Sequence, residues 1–262
     1  MNLEISVLGS GSSGNSIYIN NGQISILIDA GMSGKEINRR LKKCDTSVEK
    51  IDAILLTHEH NDHILGAGVL SRKCDIPVYA NELTWDAAEK NLGKIKKGNC
   101  RIIDGDFSLG QLDISCFSIS HDARDPVGYT LCSQGKKIGV ATDMGYMKEE
   151  VKRELQNLDF LIIESNHDYE MLTQGSYPPY LKKRIKGPQG HLSNDDTAEL
   201  LPELIKHKLP HILLAHLSKD NNLPDLAYIT IKNRLEEAGL KVGQDLEIDF
   251  TFRDRPTKIY SV

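Results

Sequence analysis

Along this chain, short apolar blocks alternate with polar stretches, many of them carrying Gly or Pro. The blocks predict strands over residues 3–9, 16–20, 23–29, 51–56, 76–80, 101–103, 112–119, 127–132, 136–141, 160–163 and 211–215, with late strands near 246–252 and 258–261. Apolar positions at helical spacing predict helices near 34–43, 63–72, 82–91, 148–156, 195–206 and 225–238, the helix at 195–206 opened by Ser193 or Asn194 as cap. Pro178, Pro179, Pro188 and several Gly make residues 170–192 an irregular lobe. Strands and helices alternate in both halves, with no linker, repeat or low-complexity segment. The expectation is one α/β domain, residues 1–262, with mixed sheets.

Chemistry-bearing residues gather just after the apolar blocks, where α/β sites form. The densest group is Thr57-His58-Glu59-His60-Asn61-Asp62-His63, which follows the predicted strand at 51–56. His58 and His60 are two apart, so on an extended chain they face the same way. Nitrogen and carboxylate ligands converging at a strand end suit divalent metals, and this number suggests two ions. His121, Asp143, Glu164 and His216 each stand just after another apolar block. Any one of them alone is a weak signal; four after one metal motif are not.

Composition narrows the class. Hydrophobic residues make up 39% and charged residues 26% of 262, as in an ordinary globular protein. The start has an early acid and no basic n-region, unlike a signal peptide, and no apolar run approaches the roughly 20 residues needed to span a bilayer. Five cysteines without a Cys-x-x-Cys pair read as reduced thiols, so the expected compartment is the cytoplasm. A formal charge of −5 argues against a strongly basic nucleic-acid module but leaves a nuclease open, because bound cations supply positive charge where a phosphodiester approaches. The run Lys182-Lys183-Arg184-Ile185-Lys186 suits contact with a phosphate backbone but reads more readily as solvated surface.

The ordered set His58-x-His60-x-Asp62-His63, His121, Asp143 and His216 resembles the metallo-β-lactamase superfamily, and Asp29 in Ile26-Leu27-Ile28-Asp29-Ala30-Gly31 looks like that family's first motif. The resemblance covers essentially the whole chain. It implies an αββα sandwich of two mixed β-sheets flanked by helices, with a dimetal site at one edge. It implies that His58, His60 and His121 hold one ion, that Asp62, His63 and His216 hold the other, and that Asp143 bridges them. Asp62 then counts among the catalytic residues as well. Asp143 at the bridging position resembles the phosphodiesterase and thioesterase branches. Glu164 and His191 look like the auxiliary catalytic pair of the tRNase Z branch, which assists proton transfer to the leaving oxygen. Residues 9–16, His121-Asp122-Ala123, Glu164-Ser165-Asn166-His167-Asp168 and Gly190-His191-Leu192-Ser193-Asn194 resemble the bacterial YycJ (WalJ) group. That resemblance implies a nuclease acting 5′ to 3′ on DNA more readily than RNA. Zinc fits the His-rich ligand set, and manganese or iron fits it nearly as well.

The loop Gly9-Ser10-Gly11-Ser12-Ser13-Gly14-Asn15 admits two readings. Its backbone N–H groups and the side chains of Ser12, Ser13 and Asn15 suit a substrate phosphate, and it also suits a tight turn between strands. His167 and Asp168 belong at the site rim, whereas His207 and His211 read as structural and Tyr129 and Trp85 as packed aromatics. A thioesterase or lactonase using the same ions is the alternative enzyme, and a non-catalytic scaffold would be expected to lack ligands. Glu164 with His191 favours phosphodiester cleavage, because an alkoxide leaving group needs a proton and a thiolate does not.

Overall fold

In the first half of the chain, β1 (Glu4–Gly9), β2 (Ser16–Asn20) and β3 (Ser25–Ile28) form an antiparallel meander. Helix α1 (Gly34–Leu41) then leads to β4 (Ala53–Leu55). Helices α2 (Asn61–Ile64) and α3 (Ala67–Cys74) precede β5 (Val78–Ala80), and α4 (Glu82–Leu92) precedes β6 (Cys100–Ile102). From β3 to β6 the neighbours are parallel. This computed structural model describes residues 3–262.

The second half repeats the plan. Strands β7 (Phe107–Leu109), β8 (Leu112–Ser118), β9 (Val127–Ser133) and β10 (Lys136–Ala141) are antiparallel neighbours. Helix α5 (Glu149–Glu154) leads to β11 (Phe160–Glu164), and α6 (Tyr169–Gln174), α7 (Pro179–Ile185) and α8 (Asn194–Leu204) follow. Strand β12 (His211–Ala215), helix α9 (Pro224–Glu237) and β13 (Ile248–Phe250) close this sheet, in which β10 to β13 run parallel. The last strand, β14 (Tyr260–Ser261), returns to pair with β1. Each sheet has seven strands, in the orders β14-β1-β2-β3-β4-β5-β6 and β13-β12-β11-β10-β9-β8-β7.

Alternation along the strands sorts the side chains into three cores. Ile26 and Ile28 face Ile114, Tyr129 and Ile162 between the sheets. Leu27 and Ile54 turn outward onto Ile37, Leu41 and Leu70 of α1 and α3. Leu161, Ile163 and Leu214 turn outward onto Leu201, Ile231 and Leu235 of α8 and α9. The result is the expected αββα sandwich. Among the described residues no helix is long and apolar enough to cross a membrane.

The expected helix at 63–72 is two helices. A Cβ on Gly66 would lie 2.3 Å from the Met32 carbonyl oxygen, so the chain is pinched there against the turn after β3. The expected irregular lobe contains α6 and α7. Its prolines open α7 rather than break it: Pro179 sits in the first turn, where its missing N–H has no helical partner to lose. The three-residue β7 pairs with β8 on the sheet edge and was not expected, being too short to show alternation.

Candidate metal centre

Three of the strand ends that carry polar residues turn in the same unusual way. Asp29 after β3, Asp143 after β10 and His216 after β12 have φ of 61°, 62° and 56°, in the left-handed region. Asp and His enter that region more readily than branched residues, and here it turns the backbone sharply so that the side chain points across the gap between the sheets. Gly31 completes the packing. A Cβ there would lie 1.6 Å from the Asp62 carbonyl oxygen, so only Gly lets the turn after β3 approach the His-rich loop.

Asp29 organises that loop. Its carboxylate accepts from the Thr57 backbone N–H and hydroxyl, both at 2.9 Å, and from His63 Nδ1 at 2.7 Å. Having given its proton to Asp29, Thr57 Oγ1 accepts from His58 Nδ1 at 2.9 Å. Both imidazoles are thereby fixed with Nε2 turned toward the other donors. His121 is held alike, Nδ1 donating to the Gly190 carbonyl at 3.3 Å. Glu164 does the same for two rings: one oxygen accepts from His191 Nδ1 at 2.7 Å and His216 Nδ1 at 2.9 Å. Its other oxygen accepts from the Met144 and Leu192 backbone N–H groups.

The donor atoms converge. Ligand atoms of His58, His60 and His121 lie within 4.8 Å of one another, as do those of His58, His63 and Asp143 and those of Asp143, Glu164, His191 and His216. His58 Nε2 is 3.1 Å from His60 Nδ1, and His63 Nε2 is 3.4 Å from Asp143 Oδ2. Two nitrogens at the usual bond length from one tetrahedral ion are about 3.3 Å apart, so these spacings suit shared ions. Asp143 Oδ2 and His216 Nε2 are buried without a hydrogen-bond partner. Buried polar atoms are normally satisfied, and a bound cation would satisfy these two. Asp62 stands at the rim, Oδ2 3.7 Å from His63 Nε2. The donor set fits divalent metal ions.

Protonation follows the same geometry. Burial holds the His58 and His121 imidazoles below their usual range, neutral and ready to ligate. Burial also opposes charge on His63, but Asp29 and Asp143 outweigh it and carry His63 up to about 9. Burial opposes charge on Asp143, yet His216, His63 and His58 hold its carboxyl well below the usual range. On His191 burial is overcome by the charge and hydrogen bond of Glu164, which raise it to about 9, and Glu164 is itself held at about 2.

The structure thus brings His58, His60, Asp62, His63, His121, Asp143, Glu164, His191 and His216 together. Glu164 is fully buried behind His191 and His216 and does not face the cleft. The Gly/Ser loop divides. Ser12 lines a cleft of about 190 Å³ together with His121, His191 and His216, while Ser13 is exposed outside that lining. Asn15, expected to meet substrate, points inward instead: Oδ1 accepts from Gly11 N–H at 2.7 Å, and Nδ2 lies 3.3 Å from Asp62 Oδ2 and 2.9 Å from His63 Nε2. It packs there because the chain between Gly11 and Asn15 folds back on the turn at Gly31, whose N–H donates to the Asn15 carbonyl. His167 is buried, with Nδ1 unpartnered.

Two residues were given no role by the sequence reading. Thr57 was visible only as the residue before the first His. Asp122 has Oδ1 3.3 Å from His121 Nε2 and 3.9 Å from His60 Nε2, and Oδ2 2.5 Å from Arg184 Nε. Its position next to His121 was the one available signal, since Arg184 is 62 residues away.

Residues 25–216 match the model of the beta-lactamase superfamily domain. The chain belongs to that superfamily. Exodeoxyribonuclease YycJ of Bacillus anthracis is 42% identical over 264 residues, covering 100% of both chains. Exodeoxyribonuclease WalJ of Streptococcus pneumoniae D39 is 42% identical over 261 residues, covering 98% of this chain and 97% of that one. The solved metallo-beta-lactamase fold protein YhfI from Bacillus subtilis superposes with a TM-score of 0.75 over the whole of both chains at 16% identity, a likeness of fold. The expected superfamily and the expected sandwich are both borne out.

Proposed function

We propose that this chain is a dimetal exodeoxyribonuclease that works as one catalytic domain in the cytoplasm, removing nucleotides from the 5′ end of DNA in preference to RNA. The observation that carries the reading is His191, whose Nδ1 donates to the buried Glu164 carboxylate at 2.7 Å beside the convergent donors, an arrangement that favours its protonated form. A phosphodiester leaves as an alkoxide and needs that proton; a thiolate does not. Full-length identity to two proteins named exodeoxyribonuclease supports the choice of DNA. Five free cysteines support a reducing compartment.

In this reading His58, His60 and His121 would hold one ion and Asp62, His63 and His216 the other, with Asp143 between the two groups. Zinc suits the His-rich set, and manganese or iron suits it as well. Divalent ions bound there would supply a water of lowered pKa and offset charge on the phosphoryl oxygens. The chain's own residues do the rest. Glu164 fixes the tautomers of His191 and His216, Asp29 and Thr57 fix those of His63 and His58, and Ser12 lines the cleft where a phosphate oxygen would rest. His191 delivers its proton to the departing oxygen and recovers it from solvent, being the partly exposed member of the pair.

The test is degradation of end-labelled DNA and RNA by purified protein with zinc and manganese supplied separately, using Asp62→Ala/His63→Ala as control. Stepwise loss from the 5′ end of DNA, abolished in the control, is the expected result. Hydrolysis of a thioester or lactone with intact nucleic acid would overturn the substrate class.

A further inference from the structure

The metal centre opens beneath a lobe whose charge differs from that of the rest of the chain. Between residues 169 and 191 the basic side chains of Lys182, Lys183, Arg184 and Lys186 stand against the single acid Glu170, in a chain of formal charge −5. All four lie on or just beyond α7, whose residues include no buried one. Tyr180 on the same helix is 76% exposed and Tyr169 on α6 is 54% exposed. The Lys186 ammonium lies 4.7 Å over the Tyr169 ring and Lys182 Nζ donates to the Thr173 carbonyl at 2.8 Å, whereas Tyr180 and Lys183 are simply exposed.

A groove of about 870 Å³ follows this helix, walled by Pro179, Tyr180, Lys182, Lys183, Lys186 and Gln189. It shares Asp122, Arg184 and Gln189 with the cleft that reaches His121, His191 and His216, so the two adjoin at the Asp122–Arg184 ion pair. The lobe is tied to the centre through its backbone. His191 N–H donates to the Ile185 carbonyl at 2.9 Å, and Ser120 Oγ donates to the Pro188 carbonyl at 2.6 Å. A Cβ on Gly190 would lie 2.0 Å from the Ile185 oxygen, so the end of α7 is packed directly against the turn that carries His191.

We infer that α7 is a binding arm for a single strand of nucleic acid, with Tyr180 stacking on a base and Lys182, Lys183 and Lys186 following the phosphates away from the metal centre. This rests on the proposed nuclease reading. A basic groove with a projecting aromatic is what sequence-independent single-strand binding requires, since every base offers a π-face and every nucleotide a phosphate. Seven helical residues extend about 10 Å along the groove. A duplex would present its stacked bases inward and leave Tyr180 without a face to cover, so the arm selects frayed or single-stranded ends.

Tyr180→Ala and Lys183→Ala are surface changes outside the catalytic group, and three readouts separate the possibilities. With a fluorescein-labelled 12-residue oligodeoxythymidine, anisotropy and cleavage should show binding and KM each weakened about 10-fold or more by Tyr180→Ala, at the scale of a lost stacked base. Lys183→Ala should flatten the salt dependence of binding by about 0.7 in the log–log slope. Thymidine 5′-p-nitrophenyl phosphate, too short to reach the arm, should be hydrolysed at the wild-type rate by both variants, which also reports their folding. Wild-type affinity and KM for the oligomer in Tyr180→Ala would overturn the arm while leaving the nuclease reading intact. A blunt duplex as sensitive to Tyr180→Ala as the single strand would overturn the single-strand preference. If the wild-type protein binds the oligomer through Tyr180 but cuts no DNA, the arm stands and the nuclease reading falls; no binding by the wild type overturns the arm.

Discussion

One oxygen of Glu164 accepts hydrogen bonds from both His191 and His216, at 2.7 and 2.9 Å. A single buried carboxylate therefore sets the tautomer of the proposed proton donor and of a proposed metal ligand together. Its second oxygen faces two backbone N–H groups, of Met144 and Leu192. Glu164→Gln would turn an amide NH2 toward one of these sets of donors, whichever way it is placed. The expected outcome is a 10- to 100-fold loss of metal affinity, the scale for a group supporting a ligand, with a fall in turnover beyond it. Metal titration by calorimetry checks this, and wild-type affinity in the variant would remove Glu164 from the support of His216.

His191→Ala should retain the metals and lose roughly 10²-fold or more in turnover on DNA. A structural role would slow every substrate equally. A proton donor is distinguished by the leaving group: p-nitrophenolate departs without a proton, so thymidine 5′-p-nitrophenyl phosphate should lose far less than DNA. Equal losses on the two substrates would assign His191 to packing or binding.

The pair His63–Asp29 predicts the pH dependence of metal uptake. His63 is raised from 6.5 to about 9, so at pH 7 it carries a second proton beside the Asp143 carboxylate. A metal must displace that proton, and apparent affinity rises with pH until about 9. The metal-free fold has the opposite slope: a raised imidazole adds stability that is full below 6.5 and fades as pH climbs through about 9. Calorimetry in buffers of different ionisation enthalpy should register close to one proton released by His63 at pH 7. Asp29→Asn should abolish most of that release.

How much of this was legible depended on distance along the chain. His58, His60, Asp62 and His63 could be found because their ligand spacing is local, and His121, Asp143 and His216 because each ends an apolar block. The left-handed turns at Asp29, Asp143 and His216 leave no trace in periodicity, since φ at one residue does not alter the pattern around it. The Asp122–Arg184 pair and the burial of Asn15 depend on which turn packs on which loop, and that is decided between elements. The basic run at 182–186 looked like ordinary solvated surface because its meaning comes from the groove beside it and the centre that groove reaches.

Asp143 belongs to two of the three donor groups. Its Oδ1 lies 3.3 Å from His216 Nδ1 and its Oδ2 3.4 Å from His63 Nε2, with Oδ2 otherwise unpartnered. Asp143→Ala removes the shared carboxylate and leaves His63 and His216 without the negative charge between them. Metal content by mass spectrometry should fall below that of the wild type purified in parallel, and two full-occupancy ions in the variant would end the assignment of Asp143 as the bridge.

Gly31 tests whether the centre depends on backbone approach as much as on ligands. A methyl group at this position would overlap the Asp62 carbonyl oxygen, with Asn15 N also only 2.7 Å away, and both are backbone atoms that cannot rotate aside. Gly31→Ala must therefore push the turn after β3 away from the loop carrying His58 to His63, breaking the Asn15 N–H to Asp62 carbonyl bond at 2.7 Å. A cost of about 2–4 kcal/mol is expected, at the upper end for single substitutions, together with loss of bound metal. Gly98→Ala is the control, because a Cβ there meets nothing within 4 Å. Urea unfolding of both variants separates the cases: if Gly31→Ala matches Gly98→Ala in midpoint and metal content, the close approach at Gly31 does not hold the ligand loop.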